Sequence, residues 1–111
     1  MEIIETRVFT SRVMELLTED EYHALQQVLL ARPEVGAVIA GTGGVRKARW
    51  GLAGRGKSGG VRVIYYWAVA PGVLLMLYIY PKNEQEDLTP AQKAALRRVV
   101  EREYGGAGAS R

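Results

Sequence analysis

With 111 residues the chain has room for one core without staples, but too little for five or more strands wrapped by helices on both faces, which weighs against a phosphate-loop enzyme. The absence of cysteine and the single histidine, His23, exclude disulfides, thiolate or imidazole metal sites and histidine dyads; a reducing cytoplasm is the expected setting, and chemistry falls to Lys, Arg, Tyr, carboxylates and hydroxyls. The net charge of +3 conceals an uneven distribution, with 7 acids and 3 bases in residues 1–34, no acid and 7 bases in residues 35–83, and 5 of each in residues 84–111, so the middle block should attract a polyanion such as RNA or DNA, or an acidic protein.

The opening MEIIETRVF has no long apolar core and is not expected to be a signal peptide. Ile3, Glu5, Arg7 and Phe9 alternate with Ile4, Thr6 and Val8, which predicts a strand over 3–9, followed by a short helical turn around Ser11–Leu16. Thr18 and Glu21 form a capping box, with Leu17 able to staple onto Tyr22. The helix that starts there carries Tyr22, Leu25, Val28 and Leu29 on one face and ends at Pro33; His23 on it is expected to be a packing or surface residue. After the glycine-rich GAVIAGTGG, a strand over Val45–Trp50 puts Lys47 and Arg49 on one face and Ala48 and Trp50 on the other.

Residues 51–58, GLAGRGKS, satisfy the pattern G-x-x-x-x-G-K-[ST]. The context does not fit: the charged VRKARW precedes it, two glycines and the β-branched, aromatic VRVIYYW follow, and no apolar strand ends in a magnesium-binding Asp. Glycines with Arg55 and Lys57, beside Lys47, Arg49 and Arg62, suit a phosphate backbone better than a mononucleotide. Residues 63–80 are uncharged over nearly the length of a membrane span, but Pro71-Gly72 divides them into two strands, Val61–Ala68 and Val73–Tyr80, so no membrane span is expected. Tyr78, Tyr80 and Lys82 share a face of the second, and Trp50 and Trp67 read as core. The acidic Glu84, Glu86 and Asp87 read as a solvated turn and not as a metal site. Thr89, Pro90 and Gln92 start a last helix with Leu96, Val99 and Val100 on its apolar stripe, and Gly105-Gly106 stops it. One domain over 1–104 and a disordered tail over 105–111 are expected.

The run GTGGVRKARW, GRGKSGGVRVIYYW and LLMLYIYPKNEQEDL resembles the RelE/HigB-like toxins of bacterial toxin-antitoxin pairs, over about residues 3–100. The resemblance implies an α+β fold: a small curved antiparallel sheet of about four strands with helices on one side, like a microbial RNase. It also implies an endoribonuclease that cleaves mRNA in the ribosomal A site and is restrained by an antitoxin, expected to be a helix-turn-helix protein encoded next to it. Lys47 and Arg49 match the family's basic pair, Arg62 the arginine opening the next strand, and Lys82 a basic residue after the last one. Tyr80 falls near an aromatic position that some members place beneath a base; the histidine or carboxylate of other branches has no counterpart at these positions.

In such cleavage the ribose 2'-hydroxyl attacks the adjacent phosphorus, giving a 2',3'-cyclic phosphate and a free 5'-hydroxyl. Arg62 and Arg49 are the candidates for stabilising the charge that develops, unless Arg62 merely pairs with a carboxylate. Lys47 or Lys57, with a proton affinity lowered by neighbouring cations, could be the base, and Lys82 could protonate the leaving oxygen or simply hold the backbone. Arg46, Arg55 and Lys57 are candidate RNA-binding cations, and Tyr78 and Tyr80 either stack a base or belong to the core. No cofactor or metal is expected. The competing reading is a non-catalytic RNA- or ribosome-binding module using the same basic face.

Overall fold

The alternation over residues 3–9 makes strand only as far as Glu5: a computed structural model, which describes residues 1–51 and 60–105, has strand β1 at Glu2–Glu5 and helix α1 at Arg7–Leu16. One threonine causes the change. The Thr6 hydroxyl accepts from the Phe9 N–H at 3.1 Å, capping α1, and donates to the Leu77 carbonyl at 2.9 Å. Phe9 and Val13, four residues apart, are buried on the same helical face, a spacing that over so short a run is easily confused with strand alternation.

Helix α2, Glu19–Ala31, starts at the expected capping box: Thr18 Oγ1 accepts from the Glu21 N–H at 3.1 Å, and the Thr18 N–H donates to Glu21 Oε1 at 2.8 Å. Tyr22, Leu25 and Leu29 are buried, whereas Val28 stays exposed and the stripe is one residue narrower than expected. His23 is at the surface. Beyond Pro33 a two-residue strand β2, Ala37–Val38, pairs with β3, Arg46–Trp50. Gly36 is held there because a Cβ would lie 2.8 Å from Tyr65 Cε1 and 3.1 Å from the Lys47 carbonyl carbon.

Strand β4, Val61–Ala68, pairs antiparallel with β3 and with β5, Val73–Pro81; β1 pairs parallel with β5, so the five strands lie in the order β1-β5-β4-β3-β2. Between β4 and β5 the register slips, Ile64 facing Tyr78 and Tyr65 facing Met76, which leaves Leu77 as an extra residue in a bulge. Alternate residues then fill two cores. Val63, Tyr65, Leu74, Met76 and Ile79 pack with Phe9, Val13, Leu25 and Leu29 of the first two helices. On the other face Ile64, Tyr66, Leu75, Leu77 and Tyr80 pack with Val100 of α3, Pro90–Tyr104.

The fold is therefore α+β as expected, with three corrections. The sheet has five strands and not about four, it is mixed because β1 runs parallel to β5, and the helices cover both faces. Chain length permits this because the edge strands are only 4 and 2 residues long and one helix of 15 residues covers the second face. That helix begins at the expected box of Thr89 and Gln92 with Pro90 at its first position. Trp50 and Trp67 are only partly buried against the first core. No described helix is long and apolar enough to cross a membrane, and residues 63–80 are the expected pair of strands. The tail expected from residue 105 lies outside the described residues beyond Gly105.

Candidate active site

Ala48 points into the first core, so its neighbours Lys47 and Arg49 project from the opposite face of β3, the face that carries α3. Arg49 is the direct cross-strand partner of Arg62, and Arg62 of Tyr80. Two guanidinium-bearing residues thus stand side by side on one surface, an arrangement that weakens a sheet because like charges directly opposite repel. Lys47, Arg49, Arg62 and Lys82 line a single cleft of about 610 Å³. Arg49, Arg62 and Lys82 form no ion pair with any described residue.

The far wall of the cleft is the turn after β5, which contributes Asn83, Gln85, Glu86 and Asp87. Its position follows from local bonds: the Lys82 N–H donates to the Gly60 carbonyl at 2.9 Å, the Glu84 N–H to the Pro81 carbonyl at 3.0 Å, and Gln85 Nε2 to Gln92 Oε1, on the first turn of α3, at 2.9 Å. Asp87 Oδ1 accepts from Lys47 Nζ at 3.1 Å. The carboxylates read from sequence as a solvated turn are therefore partly in the cleft, and one of them holds the candidate base Lys47. The available signal was proximity, since Glu86 and Asp87 follow Lys82 within five residues. Glu84 turns the other way, to Arg12 of α1, whose guanidinium is held still more firmly charged by that bond.

The sequence matches the family model of the RelE toxin of RelE/RelB toxin-antitoxin systems over residues 5–106. The chain belongs to the RelE toxin family. Membership makes it a toxin of a toxin-antitoxin system, with an antitoxin as the partner that membership implies.

In this RelE-family toxin two of the remaining candidates have other work. Arg46 lies on the side of Ala48, away from the cleft, and its Nη1 donates to the carbonyls of Glu34 and Gly36 at 3.1 and 2.7 Å; it braces the connection from α2 to β2 and does not line the cleft with Lys47 and Arg49. Tyr80 is wholly buried, so its ring offers no face to a base, and packing under α3 is the reason. Its hydroxyl has no hydrogen-bond partner among the described residues, and burial pushes its pKa up, with Arg62 opposing. Tyr80→Phe is expected to raise stability by about 1 to 3 kcal/mol, the cost of an unpaired buried hydroxyl, as read from urea unfolding midpoints. Tyr78 is half-buried, tilted against Tyr80 at 5.6 Å between ring centres, and receives a hydrogen bond from Arg12. Arg55 and Lys57 lie outside the described residues, but the segment after GLAGRGKS is strand β4, as the sequence context requires and a nucleotide-binding loop does not. Among the described residues no three His, Cys, Asp or Glu side chains come together as a metal site.

Proposed function

We propose that this RelE-family toxin is a ribosome-associated endoribonuclease of the cytoplasm that cleaves mRNA by 2'-hydroxyl attack, leaving a 2',3'-cyclic phosphate and a free 5'-hydroxyl. The observation that carries the reading is the cross-strand pair of Arg49 and Arg62, flanked by Lys47 and Lys82 in one cleft. Repulsion between two such neighbours is relieved when a phosphate sits between them, and relieved further as its non-bridging oxygens gain charge on the way to the transition state. Guanidinium forks already in place meet that charge without reorganising.

Proton transfer falls to the residues around the pair. An ionised carboxylate can accept a proton directly, whereas an ammonium must first lose one, so Asp87 takes the base role; Lys47 holds it in the free protein and turns to the phosphate when RNA enters. As the 2'-hydroxyl proton passes to Asp87, the O2'–P bond forms and the P–O5' bond breaks, and Lys82 supplies the proton that the departing 5'-oxygen takes up. Tyr78, half-buried and outside the cleft lining, is the aromatic that remains a candidate for stacking a neighbouring base.

Asp87→Asn is expected to lower the cleavage rate by roughly 10²–10⁴-fold. Its affinity for RNA should hold or rise, because one negative charge has left a cationic cleft. Single-turnover cleavage of a short message on ribosomes, beside filter binding, measures both. Unchanged cleavage would return the base role to a lysine. Binding without any cleavage product in the parent protein would favour a non-catalytic RNA-binding module.

A further inference from the structure

Arg12 lies on α1, outside the cleft, yet it reaches the turn that walls it. Nη2 donates to Glu84 Oε1 at 2.7 Å, Nη1 donates to Tyr78 Oη at 2.8 Å, and the guanidinium carbon stands 5.3 Å from the centre of the Tyr78 ring. The Arg12 side chain is 24% exposed and that of Glu84 40%, so the pair is partly shielded from the solvent that leaves an open surface pair contributing close to nothing. Gln85 secures the same turn to α3 through neutral hydrogen bonds.

Two charge pairs therefore hold residues 82–87, Lys47–Asp87 from β3 and Arg12–Glu84 from α1. Their fates differ when an anion enters. Lys47 and Asp87 both line the cleft, so an incoming phosphate competes for the lysine and that pair is given up. Neither Arg12 nor Glu84 lines it, and their pair is left intact.

We infer that Arg12 and Glu84 are positioning residues: they keep Lys82 and Asp87 opposite Arg49 and Arg62 once a ribose-phosphate ligand has drawn Lys47 away from Asp87. The identity of the ligand rests on the nuclease reading; the clasp itself rests on the geometry. Displacing a reacting group by about 1 Å can cost 10²-fold in rate, so loss of the clasp should appear in kcat and much less in KM.

The test compares the parent with Arg12→Ala, Glu84→Gln and the exchanged pair Arg12→Glu with Glu84→Arg. Glu84→Gln alters an exposed turn and leaves both cores untouched, and in the exchanged pair the Tyr78 hydroxyl can donate to a carboxylate as readily as it accepts from a guanidinium. Amide hydrogen exchange of residues 82–88 is measured with and without a 2'-deoxy oligonucleotide, which occupies the cleft but lacks the attacking hydroxyl. The expected result is faster exchange in both single variants, with the greater acceleration when the oligonucleotide is bound, a kcat lower by roughly 10²-fold, and recovery in the exchanged pair. An acceleration that is absent, or no greater with the oligonucleotide, overturns the inference. A parent that cleaves no RNA would sink the nuclease reading alone, because the exchange comparison does not depend on turnover.

Discussion

Arg62→Ala should lower the cleavage rate by about 10²–10³-fold, the usual cost of removing one preorganised donor to a developing anion, and should abolish growth arrest when the toxin is expressed. Arg62 sits on β4, between β3 and β5, and its neighbours across the strands are Arg49 and Tyr80. The same substitution deletes one of two facing like charges, so the folded state should become no less stable and slightly more so. Lower activity with equal or higher stability is a signature that a damaged fold cannot produce. Arg62→Lys should fall between, because the ammonium keeps the charge and loses the planar fork that spans two phosphate oxygens. Cleavage assays and urea unfolding on the three proteins decide it; an Arg62→Ala protein as toxic as its parent removes the central assignment.

Tyr65→Phe should be strongly destabilising, in contrast to Tyr80→Phe. Both side chains are wholly buried, and the substitutions are chemically identical. The difference is in the hydroxyls. Tyr65 Oη donates to the Pro33 carbonyl at 2.6 Å and accepts from the Gly36 N–H at 2.9 Å, tying the end of α2 to the sheet at the point where Gly36 leaves no room for any other residue. Without it two buried backbone groups lose their partner, at about 1–3 kcal/mol for each. In a chain of this size each kcal/mol moves the melting temperature by roughly 4–8 °C, so thermal unfolding separates the two variants at once. Burial also pushes the Tyr65, Tyr22 and Tyr104 hydroxyls above the ordinary tyrosine pKa. Raised values in the folded state mean that the stability they support is complete below the ordinary tyrosine pKa of about 10 and is lost as pH rises through the folded values. An alkaline unfolding transition is the expected result.

What could be read from sequence was what depends on near neighbours. The capping boxes at Thr18 and Thr89 need only residues three apart, and both are present. Lys47, Arg49, Arg62 and Lys82 stood out because period two fixes their faces and no acid interrupts their block. The same rule, carried one residue back, assigns Arg46 to the face of Ala48, away from the cleft. Strand β2 is 2 residues long, too short for any pattern, and Thr6 overrides the alternation that ran on to Phe9. Proximity to Lys82 hinted at Asp87, but its entry into the cleft depends on how the turn after β5 folds back towards Lys47, 40 positions earlier in the chain. Nor does alternation reveal that Tyr80 is roofed by α3.

The unpaired Leu77 makes odd and even change meaning partway along β5. Before it the odd-numbered Val73 and Leu75 face α3; after it the even-numbered Tyr78 and Tyr80 do. Strict alternation carried on through Leu77, with no bulge, would drive both tyrosines in among Phe9 and Leu25 and push Ile79 to the other side, with the turn that bears Lys82 and Asp87 carried round as well. The bulge at Leu77 is therefore what aims the cleft end of the last strand, and removing that one residue would straighten the strand while leaving its two faces as they are.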